Sequence, residues 1–146
     1  MRDGFSFIVL GRPQGKGRPR HGQGRTWTPR GTTLAEQGIR AAWESAGAVR
    51  LEGAISLHVL LAVTRPQHHF KRDGSLTAEG SRNPQPKNKK PDVDNALKLV
   101  MDALNTRAWH DDVQIVQAQV DRVWDQHEYT RVIARVVDVL ETRAAA

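Results

Sequence analysis

Five aspartates crowd into one stretch, KPDVDNALKLVMDALNTRAWHDDVQI (residues 90–115), of a chain that otherwise carries a formal net charge of +6. Asp92 and Asp94 stand two residues apart at the mouth of a helix predicted over about Val93 to Leu104. Carboxylates that close repel each other unless a cation lies between them. Mg²⁺ and Mn²⁺ favour such oxygen ligands and keep several waters, so two or three carboxylates suffice for a catalytic site. Asp102 lies eight residues beyond Asp94, about 12 Å along a helix axis, too far to share a metal ligated near 2.1 Å, and is expected to be structural. Asp111 and Asp112 follow a connection of about seven residues, able to span roughly 23 Å, so the pair can return to Asp92 and Asp94. Adjacent side chains at a strand entrance point differently, so one acid can ligate while the other holds the turn. The row Asp94, Lys98, Asp102 also fits an ordinary solvated helix face with ion pairs four residues apart, and Asp94 fits a helix N-cap.

The basic residues lie elsewhere. Lys16, Arg18, Arg20 and Arg25 fall in a glycine-rich segment, and Lys87, Lys89 and Lys90 immediately precede the acids. Such groups neutralise phosphates, which positions DNA without reading its sequence and makes binding steeply salt-dependent. The segment is not a Walker A loop, because Gly11 to Gly15 is one residue too short and Lys16 is followed by Gly17. His68 and His69 read as exposed loop histidines, with metal ligation or DNA contact as the alternative. Trp109 is expected to anchor the core or a hairpin and not to wedge between bases.

These groups need a scaffold, and 146 residues suffice for one domain, taken as 1–146. The absence of cysteine excludes disulfides and thiolate zinc sites and fits the cytoplasm. No apolar run approaches the ~20 residues of a membrane span. The run in MRDGFSFIVLG is too short for a signal peptide, carries Asp3 and lacks a small-residue cleavage pattern. Strands are predicted at 5–11, in RTWTP, at 53–65, at 114–125 and at 129–140, the last two as a hairpin across Gln126 to Glu128. Thr33 and Glu36 have capping-box spacing, predicting a helix from there to about Ala46, ended by Gly47. In the second helix Ala96, Leu97, Val100, Met101 and Leu104 form the apolar stripe. Residues 66–91 read as a long, mobile, basic loop, and the terminal ETRAAA as frayed. The order β-β-α-β-α-β-β predicts an α+β fold with a mixed, mostly antiparallel sheet and two main helices.

KPDVDNALKLVMDAL followed by DDVQI resembles the signature of the RusA family of Holliday-junction resolvases: Asp-x-Asp-Asn-x-x-Lys, then Asp-Ala-Leu, then Asp-Asp-x-Gln. PQGKGRPR and TWTPRGT resemble the N-terminal part of that family. The resemblance implies a small homodimeric, Mg²⁺-dependent endodeoxyribonuclease, with Mn²⁺ as a possible substitute, that nicks four-way DNA junctions symmetrically in recombination and repair. Matched to the motif, Asp92, Asp94 and Asp112 would hold the metal and Lys98 would be the essential basic residue. Asn105 is followed by Thr106 and Arg107 where members often have glycine, and Ala96 replaces a larger apolar residue. A junction's two-fold symmetry asks for a C2 dimer, with the first strand or the 53–65 strand as its interface. A flap-cleaving nuclease and a non-catalytic branched-DNA-binding module are the competing readings.

Overall fold

The computed structural model describes residues 3–138. Its main sheet contains β1 (Gly4–Leu10), β4 (Ile55–Val63), β5 (Ile115–Trp124) and β6 (Tyr129–Val136), in the order β1-β6-β4-β5. A separate hairpin pairs β2 (Arg20–Gly22) with β3 (Arg25–Trp27). The helices are α1 (Arg30–Ser45), the single-turn α2 (Ala78–Ser81) and α3 (Val93–Leu104). Two 3₁₀ turns, Gln67–His69 and Asp112–Gln114, complete the order. The fold is α+β, as the sequence pattern predicts.

Period two places Ile55, Leu57, Val59 and Leu61 of β4 on one face, and each is at most 1% exposed. Helices α1 and α3 cover that face, adding Ile39 and Trp43 from the first and Ala96, Leu99, Val100, Ala103 and Leu104 from the second. Phe5, Phe7, Val132 and Ala134 fill the cluster from β1 and β6. In α3 the buried stripe is therefore centred on Leu99 and Ala103, with Leu97 and Met101 at its edges, a rotation from the predicted one.

Three expectations are corrected. The hairpin between the last two strands does not form: β4 lies between them, parallel to β5 and antiparallel to β6. β4 is the most deeply buried strand and takes the centre, while the four residues Asp125–Glu128 are long enough to step over one strand, about 10 Å at ~4.8 Å per strand. Both edges of β4 are thereby used, which removes the 53–65 strand as an edge for dimerisation, whereas β1 remains an edge strand. The capping box is also absent, since α1 begins at Arg30, three residues before Thr33, and its N-cap is Pro29, whose φ of −56° suits a helix entrance. Thr33 lies within the first turn, and Glu36 pairs with Arg40 at 3.2 Å. Gly47, at φ +112°, does end the helix.

The third correction concerns residues 66–91, which form an organised excursion. The turn Gln67–His69 and α2 pack together, Phe70 bridges Leu76, and the Trp124 indole N–H donates to the Asn83 carbonyl at 2.9 Å. His69 is buried there, contrary to the exposed reading, while His68 is exposed. Residues 139–140 of the last predicted strand, the start of the N-terminal apolar segment at Met1 and Arg2, and the ETRAAA tail lie outside the described residues.

Candidate active site

Asp92 is the N-cap of α3 with extended backbone, φ −64° and ψ 147°, yet its side chain makes no capping bond. Its carboxylate faces outward and is met by the Lys90 ammonium at 3.2 Å. Asp94 sits in the first turn, exposed. The glycine-rich segment is docked beside them, because the Lys16 N–H donates to the Asn95 carbonyl at 3.1 Å. Gly15 permits this: a Cβ there would stand 2.8 Å from Pro91 Cβ and 3.2 Å from Asn95 Cβ. At Gly17 a Cβ would come within 2.7 Å of the Thr32 hydroxyl, which accepts the Gly17 N–H at 2.8 Å. The outcome is an open depression lined by Asp92, Asp94, Asn95 and Lys98 from α3 and by Lys16 to Pro19 from the docked segment.

Lys16 is committed within it. Its ammonium pairs with Asp102, and that hydrogen bond is the main reason its pKa is raised above 10.5. Asp102 thus ties the basic segment to α3, the structural role expected of it.

The acidic pair divides its work. Asp111 caps the turn Asp112–Gln114, accepting from the Val113 N–H at 3.1 Å while the Gln114 side chain accepts from the Asp111 N–H at 3.2 Å. Asp112 is left free of that duty and accepts instead from the indole N–H of Trp109 at 2.8 Å. Trp109 is fully buried, as an anchor should be. Burial pushes the Asp112 carboxyl above its ordinary value, the Trp109 hydrogen bond opposes the rise, and the charges of Asp102 and Asp111 add to it.

Asp112 does not line the depression. The connection after α3 is pinned by the bridge from Asn105 to Trp109 and by the Leu51 N–H donating to the Ala108 carbonyl at 2.8 Å. It leaves Asp112 where it feels the charges of Asp102 and Asp111. The depression therefore groups Asp92, Asp94 and Lys98, and Asp112 is not among its lining residues. Among the described residues, only His68, His69 and Glu79 bring three ligand atoms within 4.8 Å of one another.

The basic residues also separate. Arg18, Arg20, Arg25 and Lys87 are exposed, and among the described residues their side chains have no hydrogen-bond or ion-pair partner. Lys90 pairs with Asp92, and Lys89 lies over the Trp124 ring at 5.9 Å. Arg122, which sequence reasoning missed, donates to the carbonyls of Lys89 and, at 3.3 Å, Pro91, so β5 holds the approach to Asp92. Nothing in the local pattern RVW marks it, because the contact spans thirty-one residues of sequence to Pro91.

Residues 11–136 match the family described as Endodeoxyribonuclease RusA. The chain belongs to the RusA endodeoxyribonuclease family. The match to RusA runs from the start of the basic segment to the end of β6, so it contains every residue of the depression and leaves out only β1 among the strands. The chain is also similar to a protein of Bacillus subtilis (strain 168) named "Uncharacterized protein YqaN". The two are 28% identical over 142 residues, covering 92% of this chain and 98% of that one.

The donor set suits the divalent ion that a nuclease of the RusA family implies. Asp92 and Asp94 offer exposed, hard oxygen ligands unused by capping, and the Lys90 ammonium already stands where Asp92 draws a cation.

Proposed function

We propose that this RusA-family chain is a divalent-metal-dependent, structure-selective endodeoxyribonuclease that resolves four-way DNA junctions by paired nicks, acting as a homodimer in recombination and repair. The observation that carries the reading is the grouping of Asp92, Asp94 and Lys98 with Arg18 in one open depression. An open, polar depression suits a backbone phosphate, which is anionic and identical in every nucleotide.

Asp92 and Asp94 would hold the ion, Mg²⁺ by preference and Mn²⁺ in its place, with Asp112 as the further acid carried over from the family motif. When bound, that ion supplies activation of a water and stabilisation of the charge that builds at phosphorus and on the leaving 3′ oxygen. Lys98, one turn from Asp94 and about 6 Å along the axis, directs its ammonium at a non-bridging phosphate oxygen. Arg18 neutralises the same strand beside the site, and Arg20, Arg25 and Lys87 extend the contact along the DNA, with Lys16, Lys89 and Lys90 fixing the walls. Lys90 would exchange Asp92 for phosphate once an ion occupies the acids. No helix among the described residues is long and apolar enough to cross a membrane, and we place the activity in the cytoplasm, where the DNA is.

The test is cleavage of a synthetic four-way junction, with linear duplex and flap DNA alongside, with and without Mg²⁺, comparing the native chain with Asp94→Asn. Paired symmetric nicks on the junction alone, lost on chelation and in Asp94→Asn while binding persists, are expected. Equal cutting of flaps would make the enzyme a broader branched-DNA nuclease. Binding without cutting under any divalent ion would make it a non-catalytic module.

A further inference from the structure

The excursion between β4 and α3 carries a second set of metal-ligating side chains that the nuclease reading does not use. His68 and His69 lie in the turn Gln67–His69, and Glu79 lies in α2. One ligand atom from each falls within 4.8 Å of the other two. His68 Nε2 and Glu79 Oε1 are already 3.4 Å apart. The edge of a tetrahedron around Zn²⁺ with bonds of ~2.0–2.1 Å is about 3.3 Å, so this pair stands at ligand spacing.

The backbone beneath is built to bring the two elements together. The Thr77 N–H donates to the His69 carbonyl at 2.9 Å, and the Thr77 hydroxyl donates to the His68 carbonyl at 3.2 Å. That hydroxyl also accepts the Gly80 N–H at 3.1 Å, capping α2. A Cβ at Gly80 would stand 2.5 Å from the His69 carbonyl oxygen, so only glycine allows the approach. The buried His69 ring is fixed edge-on against Trp124 at 5.7 Å. His68 and Glu79 are exposed and free to close the remaining distance.

Two cations face this cluster and weigh against a third. Arg65 donates to the Gly80 carbonyl at 2.9 Å and approaches His69 Nδ1 at the longer distance of 3.3 Å, while Lys89 lies over Trp124. The shorter Arg65 bond survives when His69 turns a ring nitrogen to a metal, and the Glu79 carboxylate supplies the compensating charge. Two imidazoles with one carboxylate and an open fourth position suit Zn²⁺ and not Mg²⁺, which wants oxygen ligands throughout.

We propose that His68, His69 and Glu79 form a Zn²⁺ site, separate from Asp92 and Asp94, that clips the β4–α3 excursion together. Through His69 the clip bears on Trp124, which holds the Asn83 carbonyl and carries Lys89, three residues before Asp92. It would therefore set the course of the basic segment into the depression.

The test uses the full chain in millimolar Mg²⁺, which occupies the carboxylate site, titrated with Zn²⁺ by calorimetry and with Co²⁺ by visible absorption. One equivalent of Zn²⁺, tetrahedral-type Co²⁺ bands and a raised Tm are expected. His68→Ala and Glu79→Gln, both at exposed positions, should each weaken Zn²⁺ at least ~100-fold, the upper end of what loss of a supporting partner costs at known sites. His110→Ala is the control, because His110 meets Glu52 at 3.0 Å with no third ligand atom grouped with them among the described residues. Unchanged affinity in both variants, or a similar loss in His110→Ala, would overturn the site. So would failure of the native chain to take up one equivalent.

Discussion

Replacing Trp109 by Phe tests whether the core holds a candidate metal acid in place. Trp109 is fully buried, and its indole N–H is the hydrogen bond that the Asp112 carboxylate accepts, at 2.8 Å. A hydrogen bond to a charged group contributes roughly 1.5–3 kcal/mol. Shrinking the ring leaves roughly 40 Å³ unfilled, about 1 kcal/mol more at ~24 cal/mol per Å³. The expected loss is therefore about 2.5–4 kcal/mol, or roughly 8–12 °C in Tm at ~3 °C per kcal/mol for a chain of this size. Urea denaturation of Trp109→Phe, Asp112→Ala and the double variant isolates the pair, with a coupling of about 1.5–3 kcal/mol expected. The loss also depends on pH. Asp112 already holds its proton to a higher pH than in the unfolded chain, and removing the indole N–H raises that carboxyl further. The native state then binds more protons than the unfolded state between the two pKa values, so stability falls as pH rises through that window. The Trp109→Phe penalty should be smaller at the acid end, where Asp112 is protonated in both states, and full at neutral pH. A coupling below ~0.5 kcal/mol, or a penalty that ignores pH, would refute the charged hydrogen bond.

Other outcomes follow from the same geometry. Lys98→Ala should lower junction cleavage by about 10²–10³, as loss of one charge-stabilising donor does, with junction affinity nearly unchanged in a gel-shift assay; a normal rate would leave Lys98 a mere ion-pairing residue. Arg18→Ala should reduce the slope of log K against log[salt] by about 0.9 for each protomer bound, whereas Lys16→Ala, whose ammonium is already taken by Asp102, should leave that slope nearly unaltered. Gly15→Ala should cost about 1–3 kcal/mol in urea denaturation, because its Cβ would push the basic segment off Pro91 and Asn95. It should also slow cleavage more than it weakens binding, since the depression opens while the arginines remain.

The family signature was legible in residues 90–115, and so was most of the scaffold. Alternation in β4 and the 3.6-residue period of α3 are local patterns, and they set the element types and the α+β class before any contact is known. Asp111 and Asp112 could be told apart in kind, one to hold the turn and one left free, because adjacent side chains at a strand entrance diverge. Contacts between distant segments were not legible. That β4 would separate β5 from β6 depends on which strand buries most apolar surface when all are present. Lys16 reaching Asp102, Arg122 holding the carbonyls before Asp92, and His69 meeting Glu79 beneath Gly80 likewise join segments with no common local pattern. The sequence named the acids through their spacing, and chain closure alone left Asp112 free to reach Asp94. Packing decided where it stands: burying Trp109 in the core anchors the connection, and Asp112 is held at that anchor by the indole N–H.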